Sequence, residues 1–228
     1  FTNINLDLMF ALPGQSVAEA LADIDAALEL DPEHLSYYHL TLEPNTVFYN
    51  QPPTLPDSDL AWDMQQAGAE RLQAAGFKIY EVSAWARPER ECRHNLNYWR
   101  YGDYLGLGAG AHGKLSGANG AVIRETRSAH PREYLRRMQS GEPPVSRAKV
   151  GEQNRVFEFM LNALRLKGGF ELTEFTSRTG LPARYLDAGL QEAMQKQLLV
   201  QSAEGYLRPT ERGWRFLDDL QGIFLPSD

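Results

Sequence analysis

The chain has 228 residues, 43% hydrophobic and 23% charged, with a formal net charge of −7. That length bounds it to one large domain or a domain with a small companion. The acidic balance argues against general nucleic-acid binding, which needs basic surface to displace counterions, and no apolar run reaches the roughly 18 residues of a membrane span.

Phe1 opens directly into strand-like sequence, without a basic start or a small-residue cleavage site, so no signal peptide is read. INLDLMFAL (4–12) has the apolar content of a buried strand. After the PGQ turn, Ser16 and Glu19 make a capping box for a helix over 17–30, which Asp31-Pro32 stops. HLSYYHLTL (34–42) is a second strand, a helix follows over about 60–75, ended by Gly76, and KIYEVSAWA (78–86) is a third strand. Strand–helix–strand–helix–strand predicts parallel pairing with helical crossovers and cover on both sheet faces. A first strand this apolar would be an aggregation liability as an open edge. The chain therefore reads as the latter part of a larger α/β sheet or barrel.

Residues 87–150 are less regular. YLGLGAGAHGKL (104–115) has four glycines and reads as a strand with close backbone approach to a ligand. It lacks the strand–GxGxxG–helix context of a dinucleotide site. Arg124, Arg127, His130, Arg132, Arg136 and Arg137 form a local basic cluster, and GEPPVS (141–146) has linker composition. From 151 the pattern is helix (152–167), two short helices, a hairpin turning near Glu204-Gly205, and a closing helix from Glu211. That is winged-helix order, for which DNA reading is the obvious use. The would-be recognition helix, 182–197, sets Arg184 and Lys196 against Asp187 and Glu192. It has no net positive face, and a structural or protein-docking role is preferred.

HNLNYW (94–99) admits two readings. One is a helix turn with His94 and Tyr98 stacked at i, i+4 and Trp99 filling a core. The other is a site for a porphyrin-like ring, with aromatics for its face, His94 for iron or a proton, and Asn95 for a polar edge. The arginine cluster fits either a solvated charged helix or bidentate binding of the ring's carboxylates. Asp7 reads as an acid near the C-terminal end of a parallel strand, where α/β folds place ligand-binding groups. Its alternative is pairing with the loop backbone. Glu43 has the same geography, and His34 and His39 read as core or pocket lining. The single cysteine, Cys92, excludes an internal disulfide and any site built from several cysteines of this chain, and it fits a reducing cytoplasm. No Ser–His–Asp order, phosphate loop or zinc pattern is present, so no catalytic residue is assigned.

DLMFALPGQS (7–16), HLSYYHLTLEPNT (34–46), HNLNYW, GDYLGLGAGAHGK (102–114) and the tail FEFMLNALRL…LRPTERGWRFL resemble the HemW family. These are radical-SAM proteins related to oxygen-independent coproporphyrinogen III oxidase. The resemblance covers essentially the whole chain. It departs at Ala11, where the family usually has glycine. It implies the C-terminal part of a (β/α)6 partial barrel followed by a small α+β winged-helix-like domain. The implied divisions are 1–115 (partial barrel and extension), 116–150 (basic connecting segment) and 151–228 (C-terminal domain). It implies heme contact by His94, Asn95, Tyr98 and Trp99, with His94 the candidate iron ligand. It also implies an S-adenosylmethionine pocket including Asp7 and His112. The family's 4Fe-4S cluster needs three cysteines on a CxxxCxxC loop, so cluster and S-adenosylmethionine chemistry belong to a longer protein. The implied function is a cytoplasmic heme-binding chaperone that delivers heme to an acceptor protein, a membrane-associated acceptor among the candidates. The alternative is a coproporphyrinogen III oxidase-like enzyme.

Overall fold

The computed structural model describes residues 3–117, 120–143 and 145–226. Two compact units divide the chain, Phe1–Cys92 and Arg93–Asp228, and each is described by itself.

The first unit runs β1 (Asn5–Phe10), α1 (Val17–Leu28), β2 (His34–His39), α2 (Val47–Asn50), α3 (Ser58–Ala74), β3 (Lys78–Glu81) and β4 (Ala84–Ala86). The capping box forms as expected. Ser16 Oγ accepts from the Glu19 backbone N–H, and the Glu19 carboxylate accepts from the Ser16 N–H at 2.8 Å. β1 and β2 pair in parallel through the α1 crossover, with Asp7 opposite Ser36.

The third strand departs from expectation. Residues 78–86 fold back as a β3–β4 hairpin, and β4 inserts antiparallel beside β2, giving the order β1-β2-β4-β3. The reversal is held locally. The Glu81 carboxylate accepts from the backbone N–H and the hydroxyl of Ser83, whose carbonyl accepts from Tyr37 N–H.

Cover on both sheet faces is only partial among the described residues: His34, Ala84 and Ala86 are buried on the face opposite the helices, but β1 is open there. Leu6, Leu8 and Phe10 turn inward, whereas Asn5, Asp7 and Met9 are exposed. Side chains alternate along a strand, so these polar and long residues share the face opposite the helices. The core joins Phe10, Ile24, Leu35, Met64, Leu72 and Trp85. Tyr37 stacks on Phe10 at 4.5 Å and donates to the Met64 carbonyl at 3.2 Å. Gly68 makes room for it, because a Cβ there would lie 2.6 Å from the Tyr37 ring.

The second unit opens with α4 (Arg93–Trp99). A three-stranded antiparallel sheet follows, β5 (His112–Ser116), β6 (Val122–Arg127) and β7 (Val145–Lys149), with α5 (Pro131–Ser140) between β6 and β7. The segment 116–150 thus contains β6, α5 and β7. Of GEPPVS, Val145 and Ser146 open β7, and Pro144 lies outside the described residues. Next come α6 (Glu152–Ala163), α7 (Leu172–Thr179), a 3-10 turn (Ala183–Leu186), α8 (Asp187–Gln195), the hairpin β8 (Leu199–Gln201) and β9 (Leu207–Pro209), α9 (Glu211–Arg215) and α10 (Leu217–Gly222). The order of three helices then a hairpin is the one expected.

Two spans are shorter than the periodicity suggested. The 152–167 helix ends at Ala163, and the closing helix breaks at Phe216, where the backbone leaves helical geometry at φ −114°, ψ 53°. Phe159 anchors the core, edge-on to Phe170 and Phe175 at 5.1 and 5.2 Å. Tyr101 and Val122 belong to the same cluster.

Candidate functional site

In the first unit Asp7 occupies the middle of β1 rather than its C-terminal end, with an exposed side chain that accepts from Asn5 Nδ2 at 2.9 Å. Asn5 in turn orders His34. His34 is buried, with Nδ1 2.6 Å from Asn5 Oδ1 and Nε2 2.8 Å from the Tyr80 hydroxyl. Because Asn5 Oδ1 only accepts, His34 carries its proton on Nδ1. Burial holds its pKa below the usual imidazole value, against the opposing fields of Glu81, Asp7 and Glu91. His34 is therefore core, as read from the sequence. His39 is not, since it is exposed, its ring 5.5 Å from Phe10. Glu43 is exposed and accepts from Thr41 at 3.3 Å. Cys92 is half-buried.

In the second unit HNLNYW is helical, on α4. The i, i+4 spacing stacks His94 edge-on to Tyr98 at 4.9 Å. His94 is exposed, and Asn95, Tyr98 and Trp99 are half-buried. Trp99 packs under Arg165, whose guanidinium carbon sits 4.2 Å from the ring centroid, and its buried Nε1 has no hydrogen-bond partner among the described residues. This packing is the helix-turn arrangement, with the His94 imidazole left open to solvent. Asn97 ties the last turn of the helix to the segment that follows. Its Nδ2 donates to the Asp103 carbonyl at 2.9 Å, and its carbonyl accepts from Gly102 N–H at 2.7 Å. A Cβ on Gly102 would collide with Asn97 Oδ1 at 2.0 Å, so glycine is required there.

The turn after α4 carries residues the sequence did not flag. Tyr98 tilts against Tyr104 at 4.4 Å. Arg124 Nη1 donates to the Tyr104 hydroxyl at 2.8 Å, and Arg124 Nη2 pairs with Glu158 at 2.7 Å. The Tyr101 hydroxyl donates to the same Glu158 oxygen at 2.7 Å. Lys114 is 1% exposed and donates to the Tyr101 carbonyl, Asp103 Oδ1 and Ser116 Oγ at 2.9, 2.9 and 3.2 Å. Burial lowers the Lys114 pKa despite Asp103. Burial would raise Asp103, but hydrogen bonds from Ser116 and Lys114 outweigh it and hold the carboxyl below its usual range. The visible signal was limited: Tyr101 and Tyr104 follow HNLNYW closely, and Arg124 belongs to the arginine cluster.

That cluster does not converge on an open site. Arg124 is engaged by Glu158, Arg136 by Glu133 and Glu142, and Arg137 by Glu133, while Arg127 donates to the Gly106 carbonyl. The glycine-rich stretch is a strand only over His112–Ser116, with Tyr104 bridging Lys114 alone. Gly108 and Gly110 hold φ of 93° and 72°, left-handed values that break the strand. His112 is exposed, with Nδ1 3.4 Å from Thr126 Oγ1. Asp7 and His112 lie in different units, each with its own neighbours. On α8 of the winged-helix-order segment, Glu192 pairs with Lys196 at 2.6 Å. Among the described residues no group of three or more His, Cys, Asp or Glu side chains could hold a metal ion. No described helix is long and apolar enough to cross a membrane.

Residues 151–216 match the family described as HemN C-terminal domain. The chain is 44% identical over 223 residues to a curated Escherichia coli (strain K12) protein named heme chaperone HemW, covering 98% of this chain and 58% of that protein. The chain is similar to HemW proteins over nearly its whole length. HemW of Haemophilus influenzae is 42% identical, covering 99% of this chain and 58% of the relative, and HemW of Bacillus subtilis is 32% identical, covering 99% and 59%. The chain thus spans under two thirds of the length of these HemW relatives. A solved structure titled "Coproporphyrinogen III oxidase (HemN) from Escherichia coli is a Radical SAM enzyme" superposes with a TM-score of 0.75 at 16% identity, over 98% of this chain and 55% of that one. The shared fold is mixed α/β.

Proposed function

We propose that this chain is the heme-handling portion of a HemW-type chaperone, binding heme at α4 and passing it to an acceptor protein. The observation that carries the reading is the His94–Tyr98 pair. An exposed imidazole stands beside an aromatic cluster, in a sequence 44% identical to a protein named heme chaperone HemW. His94 supplies a nitrogen for iron, Tyr98 supplies ring surface, and Asn95 supplies a polar edge. Trp99, seated under Arg165, fixes the helix and offers its remaining edge. The acceptor includes membrane-associated proteins among its candidates, and the compartment is the cytoplasm, in keeping with a single cysteine.

On the same reading, residues 1–115 are a radical-SAM partial barrel and its extension, the first unit lying within them. Residues 116–150 link it to a winged-helix-like domain over 151–228. Asp7 on the first unit and His112 on the second are each candidate contacts for S-adenosylmethionine. The exposed face of β1 that carries Asp7 supports this placement. A 4Fe-4S cluster on three cysteines does not fit the residues of this chain, which has one, and no radical step is assigned to it. The coproporphyrinogen oxidase reading draws less support, because the curated relatives carry the chaperone name.

The test is a spectroscopic titration of the chain with heme, wild type beside His94→Ala. A saturable Soret shift that depends on His94 supports the site. Unchanged affinity and spectrum in His94→Ala removes His94 as a ligand.

A further inference from the structure

A cleft of about 640 Å³ opens in the second unit, with Arg100, the residue after α4, on its wall. That volume is in the range of small-ligand sites. Glu171, Glu174, Arg178 and Tyr206 line it too, so charges of both signs face one space. Glu171 is already engaged, accepting from Thr173 Oγ1 at 2.9 Å and from the Tyr206 hydroxyl. The other three charges are not. Glu174 and Arg178 stand four positions apart on α7, the spacing and order that favour an ion pair along a helix. They do not close into one, and Arg100 comes only to 3.9 Å of Glu174, too far for a hydrogen bond. The Glu174 side chain is 23% exposed, and no described side chain donates a hydrogen bond to its carboxylate. Burial raises its pKa against the fields of Arg100 and Arg178. A carboxylate withdrawn from water without donors costs free energy until a donor reaches it.

The signs restrict what fits. An all-anionic ligand would meet Glu174, and an all-cationic one would meet Arg100 and Arg178. A ligand carrying one cation and one carboxylate completes all three. Side chains two positions apart on an extended peptide share a face and stand roughly 7 Å apart. That is close to the roughly 6 Å between helix positions i and i+4. We propose that this cleft binds an extended segment of a partner protein, with a basic side chain on Glu174 and an acidic side chain two positions away on Arg100 and Arg178. The cleft uses none of the heme contacts assigned to α4, so this docking site stands apart from the heme reading.

The experiment titrates the isotope-labelled chain, without heme, with the blocked peptides acetyl-Lys-Gly-Glu-amide and acetyl-Glu-Gly-Lys-amide. Acetyl-Lys-Gly-Lys-amide and acetyl-Glu-Gly-Glu-amide are the same-sign controls. Two-dimensional amide NMR reads binding at each residue, and the unshifted remainder of the spectrum reports the fold. At least one mixed-sign peptide is expected to give saturable shifts at Arg100, Gly169 and Ser177, and both controls should bind about tenfold more weakly. Glu174→Gln and Arg178→Gln should each weaken the mixed-sign peptide about fivefold or more. Glu174→Lys should transfer the preference to acetyl-Glu-Gly-Glu-amide, a switch that a damaged fold would not produce. Millimolar mixed-sign peptides that leave the cleft amides of the folded wild type unshifted overturn the proposal. So do same-sign controls that bind equally well, or a Glu174→Lys chain with unchanged preference. None of these outcomes touches the heme reading, which the heme titration tests by itself.

Discussion

The ammonium of Lys114 lies 4.0 Å from the centroid of the Tyr101 ring and donates to the Tyr101 carbonyl. A buried cation so placed fixes the turn that carries α4 into the glycine-rich segment. Tyr101 holds a left-handed φ of 53° there, a conformation costly for a side chain with a Cβ. The lysine and the core around Phe159 together stabilise it.

Lys114→Met tests that role. The methionine fills the volume but leaves the Tyr101 carbonyl without its donor. Asp103, 42% exposed, can return to water, which limits the loss. The expected cost is about 2 kcal/mol, read as a lower urea midpoint.

His34 gives the first unit an acid sensitivity. Its folded pKa lies below the ordinary value of 6.5, chiefly through burial. The unfolded chain therefore binds the extra proton first, and stability increases with pH across that window. The contribution is fully present above pH 6.5 and is lost as pH falls through the folded value. Urea titrations at a series of pH values should show this slope in wild type and its flattening in His34→Gln. An equal slope in both would exclude His34 as the source.

Two glycines of the same segment should respond differently to alanine. A Cβ on Gly106 would meet the His112 carbonyl oxygen at 2.1 Å, so Gly106→Ala must push β5 away and should cost about 3 kcal/mol or more. Gly108 has open space around it but a φ of 93°, so Gly108→Ala should cost only about 1–2 kcal/mol. Thermal or urea unfolding of the pair checks the ranking.

Ala11 sits fully buried with φ 58°, a left-handed value that favours glycine. Relief of left-handed strain, about 1–2 kcal/mol, favours Ala11→Gly. Greater backbone entropy, about 0.5–1 kcal/mol, and a lost methyl, about 0.8 kcal/mol, oppose it. The substitution should therefore stay within about 1 kcal/mol of wild type, as unfolding measurements can show.

His94→Ala separates binding from folding. The side chain is exposed and its main packing is one edge-on ring pair, so stability should change by less than about 1.5 kcal/mol. Heme affinity and spectrum should change clearly. A large loss of stability without a spectral effect would mark His94 as a packing residue.

What the sequence determined by itself is local. The Ser16–Glu19 box, the hairpin turn at Gly205 and the His94–Tyr98 stack all depend on residues a few positions apart, where side-chain chemistry and periodicity act directly. The similarity to HemW was legible in motifs for the same reason. Only the tertiary structure decided that β4 runs antiparallel beside β2, because the Ser83 turn and the free edge of β2 meet only in the folded sheet. Only it buried Lys114 and tied Arg124 to Glu158, 34 positions away. A lysine or arginine in a sequence looks solvated until distant carboxylates and carbonyls enclose it. Those partners are chosen by which strands and helices share a surface, and no local preference encodes that choice.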